Sequence, residues 1–329
     1  MAASALMSIA EQSAHFLDRP HERAPGRAVD GEAAWLGADL RRRDDWIERV
    51  SPDFVEALEG AVARLLASGR PWSAVSETDV ELPGQGETLQ RWRRALTHGR
   101  GFLVLRGLPV ERWDLATQHA VTGVLGRQFG RLGLQNPRGD VIGEVRATGV
   151  EKVDPFARLY ATAGEFRFHC DASDLVGLLC IRPAAEGGES RLASSVSVYN
   201  TLLATRPDLA TRLFEPQPYD LRNEQAAGGA PYGAFAPCAF GGGVLRTFYI
   251  SDYFRTVARH GVEPDLDLLD AYDAIAAAPE VGLSFYLQPG DLQVLNNHTT
   301  LHARSAFRDA PGRERLLLRF LVSMDRTAT

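Results

Sequence analysis

Hydrophobic and polar positions alternate in two different rhythms along the chain. From residue 51 the rhythm is helical. Phe54, Leu58, Val62 and Leu65 recur at intervals of three and four, which puts them on one face and predicts a helix from Ser51 to about Ser68. Ser51 can cap its first turn, Pro52 suits the first helical position and Gly69 ends it. Leu89, Trp92 and Leu96 predict a second helix over about Thr88 to Thr97, and Val121, Val124 and Leu125 a third from Leu115 to Phe129. Between them, the apolar run 102–105 lies between Gly101 and Gly107 and reads as a buried strand. Beyond about residue 140 short apolar runs alternate with Gly, Pro and Asn turns. Strands are expected at 141–146, 165–171, 176–181, 245–250, 283–287, 291–296 and 315–322, with helical insertions at about 196–204 and 267–278. Short strands at this density make the chain mainly β with helical additions, a sandwich or a barrel.

No linker divides the pattern. Residues 1–30 are polar, rich in Ala, Arg and His, and are expected as a loosely ordered arm. Residues 31–100 are expected as a helical extension packed on a core of 101–329. The stretch 228–243, rich in Gly, Pro and Phe, is expected as a flexible lid, with an ordinary surface loop as the alternative.

Composition narrows the class of partner. The 329 residues are 45% hydrophobic and 24% charged, values that argue against global disorder. Lys and Arg total 36 against 42 Asp and Glu, and no basic block is present, which makes a nucleic-acid partner a poor expectation. No run approaches the ~20 apolar residues of a membrane span. The N-terminus does not read as a secretory signal. Three cysteines without a CxxC pattern suit a reducing cytoplasm. The expected partner is a small-molecule substrate, and nothing in the sequence sets an oligomeric state.

The candidate chemistry starts at His169-Cys170-Asp171. A His-x-Asp alone carries little weight. Here it lies in an alternating stretch in which Phe166, Phe168 and Cys170 would share one face and Arg167, His169 and Asp171 the other, with His169 and Asp171 about 7 Å apart. Near the C-terminus stand His298 and His302. Two histidines, one of them remote in sequence, and one carboxylate are the ligand set of a non-haem Fe(II) facial triad, which leaves coordination positions open. Arg315, Leu317 and Arg319 share one face of the last strand. Two arginines on an inner face need an anion, and a dicarboxylate would serve; exposed arginines on an edge strand are the plainer alternative. Arg167 is open to two readings, contact with an anionic substrate or an ion pair with Glu165.

Four ordered motifs resemble those of the TauD/TfdA family of Fe(II)/2-oxoglutarate-dependent oxygenases, relatives of clavaminate synthase. They are 168–171 (Phe-His-Cys-Asp), 187–190 (Gly-Gly-Glu-Ser), 302–307 (His-Ala-Arg-Ser-Ala-Phe) and the pair Arg315 and Arg319. Cys170 stands where the family usually has Thr, at a position that should point away from a metal. The resemblance implies a double-stranded β-helix (jelly roll) and makes His169, Asp171 and His302 the iron ligands. His302 is preferred over His298 because it begins the third motif, and His298 becomes a supporting residue. The resemblance further implies that Arg315 and Ser190 hold the distal carboxylate of 2-oxoglutarate, with Arg319 nearer the metal. Gln135, Asn136, Arg158, Tyr160 and Arg167 are the substrate-side candidates. The activity implied is hydroxylation of an unactivated C–H in a carboxylate, amino acid or specialised metabolite, consuming O2 and releasing succinate and CO2. A carboxylate at Asp171 speaks against halogenation, which needs room for chloride there. Desaturation, epoxidation or ring closure at the same centre stays open, as do a catalytically silent ligand-binding protein and a zinc hydrolase.

Overall fold

The computed structural model describes residues 6–147, 162–222, 225 and 228–325. It is a mixed arrangement of helices and several sheets, with more helix than the strand-rich reading suggests. Two sheets carry the architecture. The larger runs in the order Leu6–Met7, Arg131–Gly133, Leu316–Ser323, Leu175–Arg182, Leu292–Asn296, Phe102–Arg106, Ile47–Arg49, with Gly143–Val145 also paired to Leu316–Ser323. The smaller is antiparallel, in the order Gly282–Phe285, Ser190–Ser194, Thr300–Arg304, Phe166–His169. Side chains alternate along each strand, so each sheet buries two faces. Val104, Val176, Leu295 and Leu317 of the larger sheet meet Leu192 and Leu283 of the smaller in one apolar cluster.

Helices cover the outer faces. Pro52–Ser68, Gly86–Thr97 and Leu115–Arg127 pack Phe54, Trp92, Val121 and Val124 against Leu103, Leu179, Leu318, Phe320 and Val322. Ser195–Thr205 and Leu266–Ala277 cover Phe168, Ala193 and Leu301. The caps are local. Ser51 accepts from the Phe54 amide, and Gly69 ends that helix at φ 62°, where a side chain would be strained. Asp114, Ser194 and Asp265 cap three other helices by the same side-chain-to-amide bond.

Four expectations change. Among the residues expected as a loose arm, Ile9–Leu17 is instead a helix closed by a Ser8–Glu11 capping box, and its Phe16 is fully buried. Their polar composition hid a single apolar anchor. The 228–243 stretch, expected as a flexible lid or a surface loop, carries regular strands. It is largely two hairpins, Tyr232–Phe235 on Gln217–Asp220 and Cys238–Gly241 on Val244–Thr247, the second turning at Gly242 and Gly243 with φ 60° and 77°. The first ligand strand stops at His169, so Asp171 stands beyond it. Finally, Ser190–Ser194 and Thr300–Arg304 are strands that no apolar run announced.

Candidate active site

The small sheet brings the candidate ligands together. His302 and His169 are direct cross-strand partners, and their rings lie 4.0 Å apart between centroids. Asp171 follows two residues after the strand end, with Oδ2 3.8 Å from His302 Nε2. One donor atom from each of the three lies within 4.8 Å of the others, and both histidines are buried. They are the one His/Cys/Asp/Glu group of this kind among the described residues.

Their electrostatics favour donation to a cation. Burial, then the neighbouring His302, pushes His169 down to about 3, against the pull of Asp171. Burial likewise lowers His302. Both imidazoles are therefore neutral near pH 7, the form that ligates metals. His169 Nδ1 lies 2.8 Å from the Arg167 carbonyl. A carbonyl only accepts, so that nitrogen carries the proton and Nε2 keeps its lone pair. The donor set, two neutral imidazoles and a carboxylate, fits a non-haem Fe(II) site.

The ligand strand is not evenly pleated. His302 pairs with His169 and Arg304 pairs with Phe166, so the one residue between these pairs on one strand opposes two on the other. The extra residue is a β-bulge. It turns Phe166 to the ligand side, where its ring stacks on His169 at 3.7 Å, and turns Arg167 out to solvent. Strict alternation predicted the reverse. Arg167 does not line the cavity, and it is Arg191 that pairs with Glu165, at 3.1 Å.

The cavity counts about 520 Å³ including its open mouth. Arg315, Leu317 and Arg319 line it from the last strand, as their shared face predicts. Arg315 is 4% exposed, its Nη1 is buried without a hydrogen-bond partner, and burial lowers its pKa. The described residues give it no ion pair. A buried guanidinium in that state calls for an anion. Ser190, also buried, lines the same cavity from the smaller sheet. Gly188, at φ 71°, packs nearby: an added Cβ would meet Arg315 Nε at 3.5 Å, an ordinary contact, but the backbone conformation would strain a side chain. Arg319 lies between two partners, with Nε donating to Gln135 Oε1 at 2.9 Å and Nη1 3.6 Å from Asp171 Oδ1.

Other candidates fall elsewhere. Gln135 is buried, does not line the cavity, and accepts from Arg319 Nε. Asn136 closes its own turn, donating to Asp140 Oδ2 at 2.7 Å and accepting from the Arg138 amide. Arg158 and Tyr160 lie outside the described residues. Cys170 points away from the ligands, its thiol buried near Tyr249 and pushed up to about 12 by burial. Sequence reading missed Phe166, Gln293 and Arg304, which also line the cavity. Arg304 reaches the carbonyls of Thr162 and Gly164 and thereby anchors the approach to the ligand strand. Its place in the third motif was the available signal.

Comparisons with known proteins agree with this geometry. The family described as "Taurine catabolism dioxygenase TauD, TfdA family" matches residues 65–321. FR-33289 synthase of Streptomyces rubellomurinus is 29% identical over 309 residues, covering 91% of each chain. The taurine hydroxylase-like protein SAT17 of Stachybotrys chartarum is 27% identical over 335 residues, covering 94% of this chain and 83% of its own. Among solved structures, asparagine oxygenase in complex with Fe(II), 3-hydroxyasparagine and succinate superposes with a TM-score of 0.67. It is 19% identical and covers 85% of this chain and 94% of its own. The non-haem iron oxygenase OrfP with Fe and alpha-ketoglutaric acid gives 0.62 at 17% identity, covering 86% and 95%. At such identities the structural likeness concerns the fold.

Proposed function

We propose a reaction from one premise: the chain belongs to the TauD/TfdA dioxygenase family and is a non-haem Fe(II)/2-oxoglutarate-dependent oxygenase of small molecules. In this reading the strands of 101–329 in the two facing sheets form a double-stranded β-helix, and 31–100 packs on it, with Ile47–Arg49 added at the edge of the larger sheet. His169, Asp171 and His302 hold the iron. Arg315 and Ser190 hold the distal carboxylate of 2-oxoglutarate, and Arg319 faces the metal-side carboxylate or an anionic substrate. Fe(II) with 2-oxoglutarate and O2 would supply the oxidising power that turns a C–H into a C–OH, one oxygen atom of O2 entering the product and the other the succinate released with CO2.

The chain's own residues supply placement and dryness. The Arg167 carbonyl fixes the tautomer of His169. Asn297 Oδ1 accepts the Asp171 amide at 3.1 Å and holds the second ligand's backbone. Arg319 balances the Asp171 charge from the cavity side. Leu178, Leu317, Val145 and Phe166 give the cavity an apolar wall that excludes water around the charged groups. The substrate is a small carboxylate, amino acid or specialised metabolite. The hydroxylated amino acids bound in two structural neighbours support that class. Three buried free thiols suit a reducing cytoplasm.

The observation that carries the reading is the buried His/Asp/His cluster, facing a cavity that holds an unmatched guanidinium. Its test is anaerobic. Fe(II) and 2-oxoglutarate added to the wild type should give a weak visible charge-transfer band, and His302→Ala should lose both the band and succinate formation. A wild-type protein without the band, or His302→Ala with unchanged turnover, would refute the assignment.

A further inference from the structure

Three residues beyond Asp171 lies a carboxylate for which the reaction has no use. Asp174 is 2% exposed. Its Oδ1 lies 2.8 Å from His298 Nε2. Its Oδ2 accepts from the Met324 amide at 2.8 Å and lies 2.9 Å from His15 Nε2. Burial alone would raise its pKa, but the bonds from His15, His298 and Met324 outweigh burial and hold it well below the usual carboxylate range. An ionised carboxylate only accepts, so both imidazoles turn an N–H toward it.

His15 comes from the N-terminal helix Ile9–Leu17, outside the stretch matched by the family. Nine residues do not hold a helix alone in water. This one is docked. Phe16 is fully buried and stacks on the His298 ring at 4.4 Å. Gln12 donates to the Leu134 carbonyl at 3.0 Å, next to the Gln135 that holds Arg319.

The two turns on which Asp174 and His298 sit are those that deliver the ligands. Residues 171–174 carry Asp171, and residues 296–299 lead into the strand of His302. They are zipped together: Asp171 N donates to Asn297 Oδ1, Asn297 N to the Asp174 carbonyl at 2.9 Å, and Asn297 Nδ2 to the Ser173 carbonyl at 2.9 Å. The His298–Asp174 bond closes the same seam.

We propose that the N-terminal helix is a working part of the metal centre: through His15 and Asp174 it clamps the 171–174 turn to the 296–299 turn and so sets Asp171 against His302. His15, Asp174, His298 and Asn297 are positioning residues in this scheme. The proposal rests on the ligand assignment above.

Mn(II) is a redox-stable probe, and its binding to the full chain can be followed through the electron paramagnetic resonance signal of the free ion. Asn297→Ala and His15→Ala should each weaken Mn(II) binding by about 10- to 100-fold, the usual effect of losing a group that orients a ligand. His15→Gln, which keeps a donor, should recover most of it. Phe54→Leu, in the outer core, should lower the melting temperature and leave Mn(II) affinity at the wild-type value. The anaerobic Fe(II)/2-oxoglutarate band should shift in His15→Ala. Wild-type Mn(II) affinity and an unshifted band in His15→Ala would overturn the proposal, whatever happens to its melting temperature. If that variant does not fold, Asp174→Asn keeps the packing, and wild-type affinity there overturns it equally. A wild-type chain that binds no Mn(II), or His302→Ala that binds it normally, overturns the ligand assignment itself and this scheme with it.

Discussion

Arg315 is the residue whose surroundings say most about its task. Its guanidinium is enclosed, lacks an ion pair among the described residues, and lines the cavity that Ser190 also lines. Replacing it with Ala should weaken 2-oxoglutarate binding by about 2–5 kcal/mol, the cost of breaking a buried charge pair. That is on the order of 30- to 5000-fold, read by titrating the anaerobic charge-transfer band. Lys at this position should recover only part of the loss, because an ammonium cannot grip a carboxylate in two places. Arg167 supplies the contrast. It was a substrate-side candidate on alternation alone, and the bulge exposes it, so Arg167→Ala should leave Mn(II) and 2-oxoglutarate affinities within about twofold of wild type. A larger loss would put its side chain back in the site. The three ligands and the two cavity arginines were legible because their residue types are expensive to bury without purpose. Phe166 was not, since a register irregularity is a property of two strands and leaves no mark on either sequence alone.

Among the elements, legibility followed apolar content. The Pro52–Ser68 helix matches its expectation to within a residue, because cap, first-turn proline, apolar stripe and terminal glycine all agree. The last strand, Leu316–Ser323, presents Leu317 and Arg319 to the cavity and Leu318, Phe320 and Val322 to the helices, as alternation requires. Ser190–Ser194 and Thr300–Arg304 escaped notice because polar and ionisable residues interrupt them, Ser190, Arg191 and Ser194 in one and Thr300, His302 and Arg304 in the other, which erases the hydrophobic rhythm that reveals a strand. Cross-strand packing gives a separate test. Phe320 pairs with Gly177, and a Cβ added to Gly177 would lie 2.0 Å from the Phe320 ring. Gly177→Val should therefore destabilise the larger sheet by about 1–3 kcal/mol, seen as a lower melting temperature. Combining it with Phe320→Leu should relieve part of that loss, since the two residues share one space.

At the scale of the whole molecule, pH acts through buried groups with depressed proton affinity. His169 falls to about 3 when folded, mainly from burial, against an ordinary value near 6.5. Between those values the unfolded chain binds a proton that the folded chain refuses, so acidification through this window favours unfolding. Asp174 adds to the trend lower down: its folded value lies below the ordinary carboxylate range, and its stabilisation fades as pH falls through that range. The metal-free protein should accordingly lose stability progressively from about pH 6 downward, measured by urea unfolding at several pH values. Stability independent of pH between 6 and 3.5 would contradict the buried, neutral state of His169. The same architecture has a consequence for how the chain is made. Because His169 and His302 become neighbours only as partners in one antiparallel sheet, no early fragment possesses the ion's cradle. A nascent polypeptide leaving the ribosome must emerge past Thr300–Arg304 before it can capture iron. Loading then follows the pairing of those two strands, and a chain that carries the ion has already passed its own inspection.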